Sequence, residues 1–131
     1  MFADVMTTVM SLAFPDVCKV PTPAGPVPTP FPNLMPSARL PMVPNLIIGG
    51  GMALNLFSTA PVSNGDEAGV ATGLISSTVV GPGRTVQGSA KTIFGCAPAT
   101  RLTSITAQNG MLPNAPGITI VPGQFRVMTM V

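Results

Sequence analysis

Residues 20–33 read VPTPAGPVPTPFPN, with Pro26, Pro28, Pro30 and Pro32 in strict alternation around Val27, Thr29 and Phe31. Proline fixes φ near −65° and pushes the preceding residue into extended geometry, so this stretch is an extended or polyproline-like track and no helix. It lacks an N–H at every second position, which rules out a central strand. Ten of the 16 prolines fall between Pro15 and Pro44. The reading favoured is an extended wrap around the domain rather than a ligand for an SH3-type groove.

Downstream the texture changes to short β-prone runs separated by glycine: Leu46–Ile48, Met52–Phe57, Gly73–Val80, Arg84–Gln87 and Thr92–Phe94. Such runs predict a small all-β domain of short strands and tight turns. Gly49-Gly50-Gly51 is read as a hairpin turn, since no Gly-Lys-Ser/Thr follows it to cradle a phosphate. Ile47-Ile48-Gly49 and Ile93-Phe94-Gly95 lie 46 residues apart. At the same offset Ala53 meets Ala99, Leu56 meets Leu102 and Ser58 meets Ser104, two copies of strand, glycine turn, strand.

Upstream, Phe2, Val5, Met6 and Val9 share one helical face, although Val5 and Val9 suit a strand equally. This apolar N-terminal arm, residues 1–14, ends at Pro15. After a domain spanning 15–110, residues 111–131 form a tail whose last stretch alternates Phe125, Val127, Thr129 and Val131 against Arg126, Met128 and Met130. Methionines concentrate at the two ends, so Phe2, Val5, Met6, Val9, Phe125, Met128 and Met130 are the candidate partner contacts.

Composition narrows the function. The 131 residues hold no His, Trp or Tyr, and only 8% are charged, six Lys/Arg against four Asp/Glu. Without His, the common triads, zinc-protease motifs and imidazole shuttles are closed, and the expectation is a protein that is not an enzyme. A net charge of +2 with no basic cluster gives no nucleic-acid footprint. No uninterrupted apolar run reaches membrane-span length, and Asp4 with no basic stretch argues against a secretory leader.

Few residues carry reactive groups. Asp66 and Glu67 adjoin in a Gly-flanked loop, where neighbouring carboxylates take backbone N–H groups more readily than they face a shared substrate. Cys18 and Cys96 are open to a disulfide, a shared metal or two buried thiols; the last is favoured, because zinc would need ligands this chain lacks. The expected catalytic, cofactor and metal sets are each empty.

Three blocks of sequence resemble the opening, central and closing motifs of the PAAR-like spike-tip family. The first is Pro15-Asp16-Val17-Cys18-Lys19, Pro21, Pro23, Gly25, Pro26, Pro28, then Pro32-Asn33. The second is Ser63 with Gly65-Asp66-Glu67-Ala68-Gly69. The third is Ala99-Thr100-Arg101-Leu102 with Gln108-Asn109. The resemblance implies a small conical β domain, preceded here by the Pro-rich segment, that caps the trimeric VgrG spike of a bacterial type VI secretion system. It implies one copy per trimer and a link to an effector or its chaperone. It also implies assembly in the bacterial cytoplasm and export on the spike. Zinc-bearing relatives use three His and one Cys near the apex, a set that cannot be carried over to a chain without His. The lysine or proline expected after the hairpin glycine is replaced by Gly50-Gly51 in one copy and Cys96 in the other. The reading from another class is a small apolar secreted toxin acting on membranes.

Overall fold

In a computed structural model the described residues are 1–130. Ten strands form in order: β1 Met10–Thr22, β2 Gly25–Met35, β3 Val43–Ile48, β4 Gly51–Ala53, β5 Thr59–Ala60, β6 Gly83–Thr85, β7 Ile93–Phe94, β8 Ala97–Pro98, β9 Ile105–Gln108 and β10 Ala115–Val121. Among the described residues there is no helix, hence none long and apolar enough to cross a membrane. Six strands form one antiparallel sheet in the order β2-β1-β10-β9-β6-β5, while β3-β4 and β7-β8 are separate hairpins.

The proline-rich stretch is the β1-β2 hairpin itself. Pro28 stands opposite Lys19 and Pro26 opposite Pro21, with Gly25 at φ 114° by the turn. Because proline cannot donate, the ladder to β1 relies on Val27, Thr29 and Phe31, as an edge strand permits. Pro15 falls where the register slips between Ala13 and Asp16, a bulge that spares a ladder bond. Thus the segment is extended, but it is built into the sheet rather than wrapped around it. Its far end is not left open: Leu34 and Asn64 exchange backbone bonds of 2.6 and 2.8 Å, and Leu40 and Thr59 two of 2.8 Å. These bridges bring the end of β2 and the residues after it against the β5 side, so the sheet closes on itself there, while the proline-rich part of β2 stays an edge.

Along β1, the inward side of this sheet takes small and polar side chains. Ser11, Ala13, Asp16 and Cys18 of β1 point inward and are buried, while Met10, Leu12 and Phe14 are exposed. The apolar core instead lies among the small hairpins, built from Ala3, Val5, Val43, Ile48, Ala53, Phe94 and Ala99.

The backbone around that core repeats three times. Asp4 N–H donates to Thr100 O (3.0 Å), Thr100 N–H to Leu54 O (3.4 Å) and Leu54 N–H to Asp4 O (3.2 Å), a closed ring of three bonds. A second ring of bonds between the same three segments runs in the opposite sense: Met6 N–H to Met52 O, Leu56 N–H to Pro98 O and Leu102 N–H to Phe2 O. Bridges Val5–Ala53, Asn55–Ala99 and Ala3–Arg101 complete the pattern. Residues 2–8, 52–58 and 98–104 are therefore equivalent, with fully buried Ala3, Ala53 and Ala99 where the three backbones approach. Each copy runs from a hairpin on one side of the ring into a strand of the closed sheet on the other: β1, β5 or β9.

The sequence repeat of 46 residues is thus two-thirds of a pseudo-threefold. The third copy is the N-terminal arm, whose hairpin partner is the C-terminal stretch: Phe2 pairs with Met128, as Met52 does with Ile47 and Pro98 with Ile93. So the arm is no appendage. Val5 and Val9, expected as partner contacts, are buried at 0% and 1% exposure because the copy's inward side packs the core. The boundary placed after residue 14 falls inside β1, and β10 of the expected tail lies between β1 and β9. Gly73–Val80, expected as a strand, makes one bridge, from Gly73 to Cys18, and is otherwise turn and bend. Phe125 to Met130 forms a single bridge rather than a strand, and Val131 lies outside the described residues.

Candidate functional site

Two places gather the residues singled out by sequence: a buried polar knot inside the closed sheet, and the outer side of the three hairpins.

The knot brings the three motif blocks together. Asp16 of β1 is fully buried, and its carboxylate accepts from three amides: Asn33 Nδ2 (2.9 Å), Asn109 Nδ2 (3.1 Å) and Asn114 Nδ2. Asn33 also donates to Ser63 Oγ (2.9 Å), which donates to the Gly81 carbonyl (2.8 Å). Asp66, also fully buried, takes the Val80 N–H at 3.2 Å, and Glu67 turns back to accept the Gly65 N–H at 2.9 Å. The adjacent acids therefore serve two backbone donors and share no site. The glycines are set by contact: a Cβ on Gly65 (φ 132°) would run into the Pro32 carbonyl, and one on Gly69 into the Cys18 side chain.

Cys18 Sγ lies 3.5 Å from Asp16 Oδ1 and 3.4 Å from Asp66 Oδ2. Burial, then the Asp16 charge and the Asp66 contact, push its pKa up to about 12. Burial likewise raises Asp66, against the pull of the Val80 N–H. Asp16, Cys18 and Asp66 bring three ligand-type atoms within 4.8 Å of one another. The surrounding donors do not suit a cation. Asn109 Oδ1 is held by Gly81 N–H (3.0 Å) and Asn114 Oδ1 by Ile75 N–H (2.9 Å), which commits both NH2 groups to face the cluster. A cation would meet those N–H groups head-on, so the donor set fits a carboxylate solvated by amides and not a metal centre.

The thiols differ from the expectation of two buried ones: Cys18 is buried and Cys96 exposed, and both are free. A thiol reagent at pH 8 is expected to modify one Cys per native chain, Cys96, and two in denaturant. Fast labelling of both in the native protein would contradict the burial of Cys18.

On the hairpin side, the equivalent residues Ile47, Ile93 and Met128 are 68%, 66% and 64% exposed. Their inward neighbours Ile48, Phe94 and Thr129 are buried at 6%, 7% and 3%. Phe125 and Met130 are exposed beside them, while Phe2 is half-buried with its ring edge-on to Phe125 at 5.3 Å; Met6 is also half-buried. Of the expected contacts, then, Phe125, Met128 and Met130 are presented outward. Ile47 and Ile93 were missed as contacts; their spacing of 46 was the available signal.

Of the other motif positions, Pro15, Pro21, Pro23, Pro26, Pro28 and Pro32 are exposed along the β1-β2 hairpin, and Val17 and Lys19 are half-buried. Asn114, which completes the amide cage, was not anticipated, since it lies beyond the closing motif.

A family model described as the toxin PAAR-like domain matches residues 9–117. No curated protein and no solved structure matches the chain.

Proposed function

The chain belongs to the toxin PAAR-like domain family, and from that premise we propose that it is a non-enzymatic cap on a trimeric VgrG spike of a type VI secretion system. The observation that carries this is the pair of cyclic backbone rings: one chain presents three equivalent copies about an axis. A threefold partner offers the same contact three times about its axis, and a pseudo-threefold chain can meet all three at once. The exposed Ile47, Ile93 and Met128 are that repeated contact. The cap links the spike to an effector or its chaperone, assembles in the bacterial cytoplasm and leaves with the spike.

A non-catalytic role agrees with where the acids go. Asp16 and Asp66 are consumed inside the knot, and Glu67 in its own turn. Prolines with fixed dihedrals reduce the freedom of the unfolded chain, which suits a part that must keep its shape under load.

The test is to mix the purified chain with candidate trimeric VgrG proteins and follow co-elution. A stable complex is expected. A chain that elutes apart from every trimer yet releases dye from liposomes would overturn the cap in favour of a membrane-active toxin.

A further inference from the structure

Three of the four acids, Asp4, Asp16 and Asp66, are fully buried, whereas of the six bases only Arg39 is. The accessible side chains therefore carry five cations against one anion, Glu67. That anion stands in the loop tied to β2 through Asn64, on the sheet side of the ring. Among the described residues, no accessible carboxylate side chain lies on the hairpin side.

The cations there follow the threefold. Lys91 and Arg126 precede Ile93 and Met128 by two residues, as Asn45 precedes Ile47, and all three are exposed. Each equivalent limb thus shows a polar residue and then a large apolar one, with the polar residue cationic on two limbs of three.

We infer that this face takes a partner surface that is apolar against Ile47, Ile93 and Met128 and bears a carboxylate opposite Lys91 and Arg126. The inference rests on the cap reading and adds the partner's chemistry to it. Three identical partner subunits present three identical carboxylates; two meet a cation and the third meets Asn45, a neutral residue able to donate. Charge complementarity of this kind acts chiefly on encounter and on salt dependence, while the apolar triad supplies the desolvated contact.

The experiment measures affinity for the VgrG trimer with which the full chain co-elutes, in 50 and 500 mM NaCl. Wild type is expected to weaken with salt. Lys91→Glu/Arg126→Glu is expected to bind roughly tenfold more weakly at 50 mM NaCl. Lys19→Glu, on β1 beyond the ring, should bind as wild type, and matched thermal melts should show all three proteins folded. Equal affinity for the double variant, or salt-independent binding by wild type, overturns the acidic partner surface and leaves the cap standing. Equal loss from Lys19→Glu places the contact elsewhere and also overturns it. Failure of wild type to bind any trimer at either salt overturns the cap itself.

Discussion

Asp16→Ala is expected to remove about 4 kcal/mol of stability, a large share of the margin of a small domain. The carboxylate is the common acceptor for Asn33, Asn109 and Asn114, which come from β2, the end of β9 and the segment before β10. Without it, three buried amide donors lose a partner, each worth about 1–3 kcal/mol, in a protein whose whole margin is on the order of 5–15 kcal/mol. Asp16→Asn keeps one acceptor but turns an amide toward amides, and should fall between the two. Glu67→Ala, from the same run of motif acids, loses one exposed bond to the Gly65 N–H and should cost under about 1 kcal/mol. Urea denaturation of the four proteins checks the order. If Glu67→Ala cost as much as Asp16→Ala, the knot would not be what holds the motif blocks together.

The second large effect concerns Asp4, the N-terminal member of the backbone ring. It is fully buried, and among the described residues neither carboxylate oxygen meets a hydrogen-bond donor. Burial raises its pKa from 3.8 to about 7, the attraction of Arg39 and the nearby Thr100 hydroxyl offsetting only part of that. Arg39, held by the Pro36 carbonyl (3.0 Å) and Ser11 Oγ (2.8 Å), is itself lowered to about 10 by burial. A carboxyl raised on folding holds its proton more tightly in the native state. Its contribution to stability is therefore fully present below about pH 4 and is lost as pH climbs through about 7. A shift of about three units corresponds to about 4 kcal/mol across that window. Asp4→Asn should flatten most of the decline and stabilise the protein at pH 8, with Asp66, raised in the same direction, keeping a smaller slope. Unfolding curves at pH 5, 6, 7 and 8 measure it. Stability that rises with pH over this range in wild type would contradict a buried, unpartnered Asp4.

What the sequence revealed depended on whether side chains or backbone carried the feature. Alternating prolines and glycine-spaced runs announced strands and turns, because those residues constrain φ directly. The motif blocks were legible as a resemblance, and their convergence on Asp16 makes physical sense of it: an amide cage needs particular side chains. By contrast, the ring at Asp4, Leu54 and Thr100 is made of peptide groups, which any residue provides. The three positions share no chemistry, and only the close approach at Ala3, Ala53 and Ala99 left a mark. Hence two copies were readable and the third was not. Val5 and Val9 went astray for the same reason, since an apolar arm reads alike whether it covers a partner or lines its own core. The outward Met10, Leu12 and Phe14 follow from the inward side of β1 being taken by Ser11, Ala13, Asp16 and Cys18, a consequence of the closure and not of the strand by itself.

The central claim is that one pseudo-threefold chain sits on one threefold spike. The mass of the co-eluting complex by light scattering tests it most directly. One chain per three VgrG subunits is the predicted result, unchanged when the chain is in excess. Three chains per trimer would contradict the account.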